Sequence, residues 1–248
     1  ASSTGLAALV PQWAQEGGAT ALRERFQDPT TRARIKAAMV ENIRVNRGGG
    51  DPKNVVLANC SFDTALNGKS LADVARDRGQ EPTAENAAEA AIELVSRGGC
   101  QTVYHAIHEA DVERILKYPW TMIGSDGEIP VFGQGVLHPR SYGTFARVLG
   151  VYVRERKVLT LEDAIRKMSS FPAQRLGFTD RGLLRPGMKA DVVIFDPATV
   201  ADKAVFGKPH QYAVGFSHVL VNGELVIDDG RLTDRRPGRV LYGPARKP

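Results

Sequence analysis

Strand-type and helix-type segments alternate through the first two-thirds of the chain, and the alternation stops at Gly177. Before that point, "NVVLANC", "QTVYHAI" and "TMIGSDG" read as short strands. The segments between them carry helix start and stop signals. Asp28 followed by Pro29 opens a helix with a capping acid and a proline where the missing N–H is harmless. Ser70 and Thr83 cap two more, which end at Gly79 and at Gly98-Gly99. A long loop, "EIPVFGQGVLHPR", leads to the amphipathic "SYGTFARVLGVYVRER". "LTLEDAIRKMSSFPAQRLGF" predicts a helix capped by Thr160 and broken at Pro172. Such alternation predicts an α/β fold. Beyond Gly177 short strands and turn residues take over. Asn222-Gly223 between "HVLV" and "ELVI" predicts a tight hairpin, because both turn positions need positive φ. The chain therefore divides into residues 1–177 and a small β module, 178–248.

Composition narrows the function classes. Hydrophobic residues make up 42% and charged residues 25% of 248, a globular balance. No apolar run reaches membrane-spanning length and no leader is visible, so neither a membrane nor a signal peptide is expected. The first residue is Ala, and a processed or cut N-terminus is the expectation. Net charge is +5, with arginines scattered rather than clustered among aromatics. Nucleic acid is not expected as a partner, while a small anionic substrate suits the bias. The basic C-terminal stretch, "DRRPGRVLYGPARKP", reads as a solvated tail. Cys60 and Cys100 show neither a disulfide framework nor zinc-site spacing and read as buried free thiols in a reducing, cytoplasmic setting.

Few residues stand out as carriers of chemistry. In "TMIGSDGEIP", Asp126 stands between small residues at the end of a strand-type run. An acid at the C-terminal end of a parallel strand lies where α/β barrels keep their active sites; a turn or helix-cap aspartate is the structural alternative. In "HPRSYG", Arg140 offers a planar fork that suits a carboxylate; the alternative is a surface arginine, with His138 in a turn. His105 and His108 in "HAIH" tempt as a metal pair, but no third ligand is near in the sequence. His210 and His218 read as structural or solvent-facing.

These pieces occur together, in order, in one family. "TMIGSDGEIP", "HPRSYGTFARVLGVYVRER", "LTLEDAIRKMSSFPAQRLGF", "RGLLRPGMKADVVIFDP" and "VNGELVIDDG" resemble the C-terminal half of the N-acyl-D-amino-acid deacylases (D-aminoacylases) of the amidohydrolase superfamily. The opening "ASSTGL" resembles that family's stretch after its seventh barrel strand. The resemblance implies an α/β chain forming the C-terminal portion of a (β/α)8 barrel, a lid-like insertion at about 18–100 and a small β-sandwich. It implies a zinc-dependent hydrolase of N-acyl-D-amino acids. Asp126 would be the general base that activates the metal-bound water and then the acid that protonates the leaving amine. Arg140 would bind the substrate's α-carboxylate, and Ser3 would be a further substrate contact. Asp126 would also be placed to touch a second metal ion. The family's zinc ligands lie on segments absent here, and a barrel of roughly 250 residues does not fit before Gly177. The expectation is thus a partner: the N-terminal half of the same enzyme as a separate chain, bringing the zinc ligands. Two alternatives stay open, a hydrolase of cyclic amides or acyl-dipeptides and a non-catalytic binding or scaffold chain. An autocatalytic N-terminal nucleophile is disfavoured, since Ala1 has no nucleophilic side chain.

Overall fold

The computed structural model of the chain describes residues 1–242; residues 243–248 of the basic tail lie outside the described residues. Two compact units form. Among the described residues, one comprises 1–108, 130–138 and 206–209; the other comprises 109–129, 139–205 and 210–242. These units follow contact density, whereas the division at 177 follows sequence texture.

The first unit is built on a three-stranded antiparallel sheet of β1 (Ser2–Gly5), β2 (Val55–Asn59) and β3 (Gln101–Tyr104), in the order β1-β3-β2. Helices α1 (Gln12–Gln15), α2 (Gly18–Gln27) and α3 (Pro29–Glu41) lie between β1 and β2; α4 (Leu71–Asp77) and α5 (Ala84–Ser96) lie between β2 and β3. The caps are those the sequence announces. Asp28 accepts the Thr31 N–H with Pro29 opening α3, Ser70 and Asp73 form a reciprocal capping box, and Thr83 accepts the Asn86 N–H. Ile35 and Met39 of α3, and Ile43 of the π-type turn that continues it (Asn42–Asn46), pack with Val55, Leu57, Tyr104 and the alanine-rich α5 in one core. Above that core Glu89 pairs with Arg32 and, at 3.0 Å, with Lys36.

Cys60 and Cys100 form a disulfide, which corrects the free-thiol expectation. Asn59 and Gln101 are partners across β2 and β3. The next residue on one strand and the preceding residue on the other are the two cysteines, so sheet pairing alone brings them face to face. Both are buried. With the cysteines bridged, they no longer point to a reducing compartment.

The second unit contains α6 (Glu109–Lys117), α7 (Arg140–Arg147), which runs on as a π-type helix over Val148–Glu155, α8 (Leu161–Met168) and α9 (Ser170–Arg175). An antiparallel sheet of β4 (Val192–Phe195), β5 (Phe216–Val221), β6 (Glu224–Asp228) and β7 (Arg231–Leu232) follows, ordered as in the sequence. The predicted hairpin is present: Val221 pairs with Glu224, and Asn222 and Gly223 have φ of 51° and 86°. Thr160 caps α8 as expected. The break falls at Ser169 rather than Pro172. Pro172 sits in the first turn of α9, where no backbone partner is lost.

Both sheets of the described residues are antiparallel; the parallel ladder of a (β/α)8 barrel is not seen among them. One further expectation is corrected. The run Thr121–Gly127 forms no strand; the Ile123 N–H goes to the carbonyl of Lys167 on α8 instead of to a sheet neighbour. No helix among the described residues is long and apolar enough to cross a membrane.

Candidate functional site

The segment that carries Asp126 is held from below by a buried cation. Lys167 has no exposed surface, and its ammonium donates to the carbonyls of Tyr118 (2.5 Å) and Thr121 (3.1 Å). Burial pulls its pKa below the usual lysine range, with Asp163 opposing that shift. Together with the Ile123–Lys167 backbone bond, this ties residues 118–123 to the end of α8. Arg166 adds a bond from its guanidinium to the carbonyl of Pro119.

Past that anchor the chain turns sharply. Asp126 adopts φ of 48°, a left-handed conformation that aspartate tolerates better than most side chains. Ser125 Oγ accepts the Gly127 N–H at 3.2 Å. Gly127 lies against the start of α7: a Cβ there would come within 3.0 Å of the Ser141 Cα. Ser141 Oγ accepts the Glu128 N–H at 3.2 Å. The two glycines thus have different reasons. Gly127 allows the turn to touch a helix, whereas a Cβ on Gly124 would meet nothing within 4 Å.

This docking brings Asp126 and Arg140, fourteen positions apart in the sequence, into an ion pair of 2.9 Å. The Arg140 side chain is 19% exposed and that of Asp126 85% exposed. The guanidinium is therefore set into the protein while the carboxylate reaches into solvent. A pair this open contributes little stability, and its partners can separate when a ligand offers a better match.

The other candidates are distributed differently. Ser3 lies on β1 rather than in a loop and pairs with Val103 across the sheet. His105 and His138 flank Phe206 edge-on, with ring centroids at 4.5 and 5.1 Å, and burial pushes the His105 pKa down. His210 Nδ1 lies 2.8 Å from the Tyr142 hydroxyl, and His218 lies 3.3 Å from Asp228. Among the described residues no group of three or more His, Cys, Asp or Glu could hold a metal ion. Asp126 supplies one carboxylate toward a metal, not a cage, so the residues present do not by themselves fit a resident zinc. Lys167, the residue that most firmly fixes the Asp126 segment, carries no distinguishing signal in the sequence, where "LTLEDAIRKMSSFPAQRLGF" reads only as helical.

The description of the amidohydrolase family matches residues 3–227. The chain is 46% identical over 153 residues to an N-acyl-D-aspartate deacylase of Alcaligenes xylosoxydans xylosoxydans, a match covering 62% of this chain and 30% of the relative. It is 40% identical over 209 residues to a D-aminoacylase of the same organism, covering 83% of this chain and 39% of the relative. Among solved structures, the N-acyl-D-glutamate deacylase of Bordetella bronchiseptica superposes with a TM-score of 0.63 at 33% identity, over 83% of this chain and 45% of that one. That enzyme was crystallised with zinc and a phosphonate mimic of the tetrahedral intermediate. The chain spans less than half the length of each of these relatives.

Proposed function

This chain belongs to the amidohydrolase family, and from that premise we propose that it supplies the proton-handling and carboxylate-binding side chains for hydrolysis of the N-acyl bond of N-acyl-D-amino acids. The observation that carries the reading is the Asp126–Arg140 pair: an exposed carboxylate on a strained turn, 2.9 Å from a guanidinium set into the first turn of a helix. Its likeness to deacylases of N-acyl-D-aspartate and N-acyl-D-glutamate supports the substrate class.

The pair has to open for either residue to act. An incoming α-carboxylate offers Arg140 two oxygens in the plane of its fork, a better partner than a single solvated aspartate oxygen. Its arrival releases Asp126 beside the amide that it must serve. Asp126 then accepts a proton from the attacking water as the carbonyl is attacked, and returns it to the nitrogen as the C–N bond breaks, so that the amine leaves neutral. Substrate binding and freeing of the base are thereby one event.

Zinc remains the metal of this reading, with its ligands on polypeptide beyond these residues. The proposed source is the N-terminal half of the same enzyme as a partner chain. Assaying the intact enzyme on paired N-acyl-D- and N-acyl-L-amino acids, and on their carboxamides, tests the proposal. Hydrolysis confined to the D series and weakened by amidation supports it; equal turnover of all four refutes it.

A further inference from the structure

Helix α7 is clamped at Gly143, and its π-type continuation at Gly150. Residues 196–204 cross it at backbone distance, and two glycines seven apart make room for the crossing. A Cβ on Gly150 would lie 2.9 Å from the Val200 carbonyl oxygen, and one on Gly143 only 1.9 Å from Asp202 Oδ1. Arg154 donates to the carbonyls of Val200 (2.6 Å) and Pro197 (3.1 Å). Val200 is fully buried, backed by Gly215, whose Cβ would fall 2.4 Å from the Val200 Cα. Across from it Ala201 and Val214 exchange backbone hydrogen bonds.

Asp202 is the polar group in this crossing. Its side chain is 6% exposed. Oδ1 accepts the Ala204 N–H at 2.9 Å, and Oδ2 lies 4.0 Å from Arg147 Nη1. Burial raises its pKa, and the Ala204 bond and Arg147 only partly counter the rise. A carboxylate kept under such conditions needs a compensating role. Arg140, Gly143 and Arg147 recur at spacings of three and four and so share one stripe of α7. The carboxylate that seats on Gly143 therefore presses on the face of the helix that begins with Arg140.

We infer that Asp202 is a positioning residue: by seating on Gly143 it fixes the placement of α7, and with it the direction in which Arg140 presents its guanidinium beside Asp126. This rests on the reading of Arg140 as the substrate-carboxylate clamp. A clamp on a helix start is only as accurate as the helix is fixed, and a misplacement of about 1 Å in a positioning group can cost up to ~10²-fold.

The test uses Asp202→Ala, which empties the seat, Gly143→Ala, which drives a methyl into it, and Asp202→Asn, which keeps shape and the bond to Ala204. All three are made in the intact enzyme. Amide hydrogen exchange across residues 141–147 should speed up ~10-fold or more in the first two and stay near the parent in Asp202→Asn. KM for an N-acyl-D-amino acid should rise ~10-fold with kcat within about threefold, while the carboxamide substrate is unaffected. Combining Asp202→Ala with Arg140→Lys should add no more than about twofold beyond Arg140→Lys alone. Unchanged exchange in α7, equal losses on acid and carboxamide, or full additivity overturns the inference. If Arg140→Lys by itself leaves KM for the acid unchanged, the clamp reading fails, and helix exchange then decides whether Asp202 seats α7.

Discussion

Opening the Cys60–Cys100 bridge should destabilise the first unit by about 4 kcal/mol. The bridge spans 40 residues. In the chain-entropy model a loop of that size removes roughly 13 cal/mol/K from the unfolded ensemble, which is about 4 kcal/mol at 25 °C. Both cysteines are buried beside Leu57 and the alanine face of α5. Alanine is therefore the proper replacement, because serine would add a buried hydroxyl to the effect being measured. The assay is guanidinium unfolding of the parent, of the reduced parent and of the Cys60→Ala/Cys100→Ala double variant. Reduced and double-variant proteins should agree with each other and fall short of the oxidised parent. In thermal melts the difference corresponds to roughly 8–16 °C for a chain of this size. Thiol titration of the unreduced protein in denaturant should find no free thiol. Two free thiols would refute the pairing, and a stability change below about 1 kcal/mol would refute the entropy argument.

Arg140→Lys should raise KM for acids by ~10-fold or more and leave their carboxamides alone, since a point charge cannot replace a two-pronged contact; equal effects on both would make Arg140 structural. Lys167→Ala should cost roughly 2–4 kcal/mol in urea unfolding, because it strands two carbonyls and empties a buried site; a change within about 0.5 kcal/mol would mean the ammonium is dispensable. Asp202 titrates with a folded pKa raised above its unfolded value, so its penalty on stability is absent below about pH 4 and grows as pH rises through the folded pKa. Asp202→Asn should therefore gain stability on the parent as pH increases from 3 to 7, about an order of magnitude in the folding constant for each unit of pKa shift. A difference that is flat with pH, or that shrinks, would contradict the assignment.

Local signals in the sequence were sound where local physics decides the outcome. Asp28-Pro29, Ser70, Thr83 and Thr160 cap the helices they announce, and Asn222-Gly223 turns the hairpin. Each is settled within four residues of chain. What was not legible depends on partners far away. Thr121-Met122-Ile123 has strand composition, yet its hydrogen bonds are taken by Lys167, 44 positions on from Ile123. Cys60 and Cys100 meet only because Asn59 pairs with Gln101. Asp126 and Arg140 were each picked out for separate tasks. Their pairing, which makes substrate capture and release of the base a single step in the proposed mechanism, emerges only once Gly127 lies against Ser141.

The central claim is that the Asp126 carboxylate moves the proton in amide hydrolysis. Asp126→Asn keeps the size of the side chain and its tolerance of a left-handed backbone while removing the base. The deciding measurement is kcat of this variant against the parent on one N-acyl-D-amino acid, in the intact enzyme, with folding checked by its melting curve. The loss should be at least ~10²-fold at unchanged stability. Turnover within a few-fold of the parent would contradict it and remove Asp126 from the mechanism.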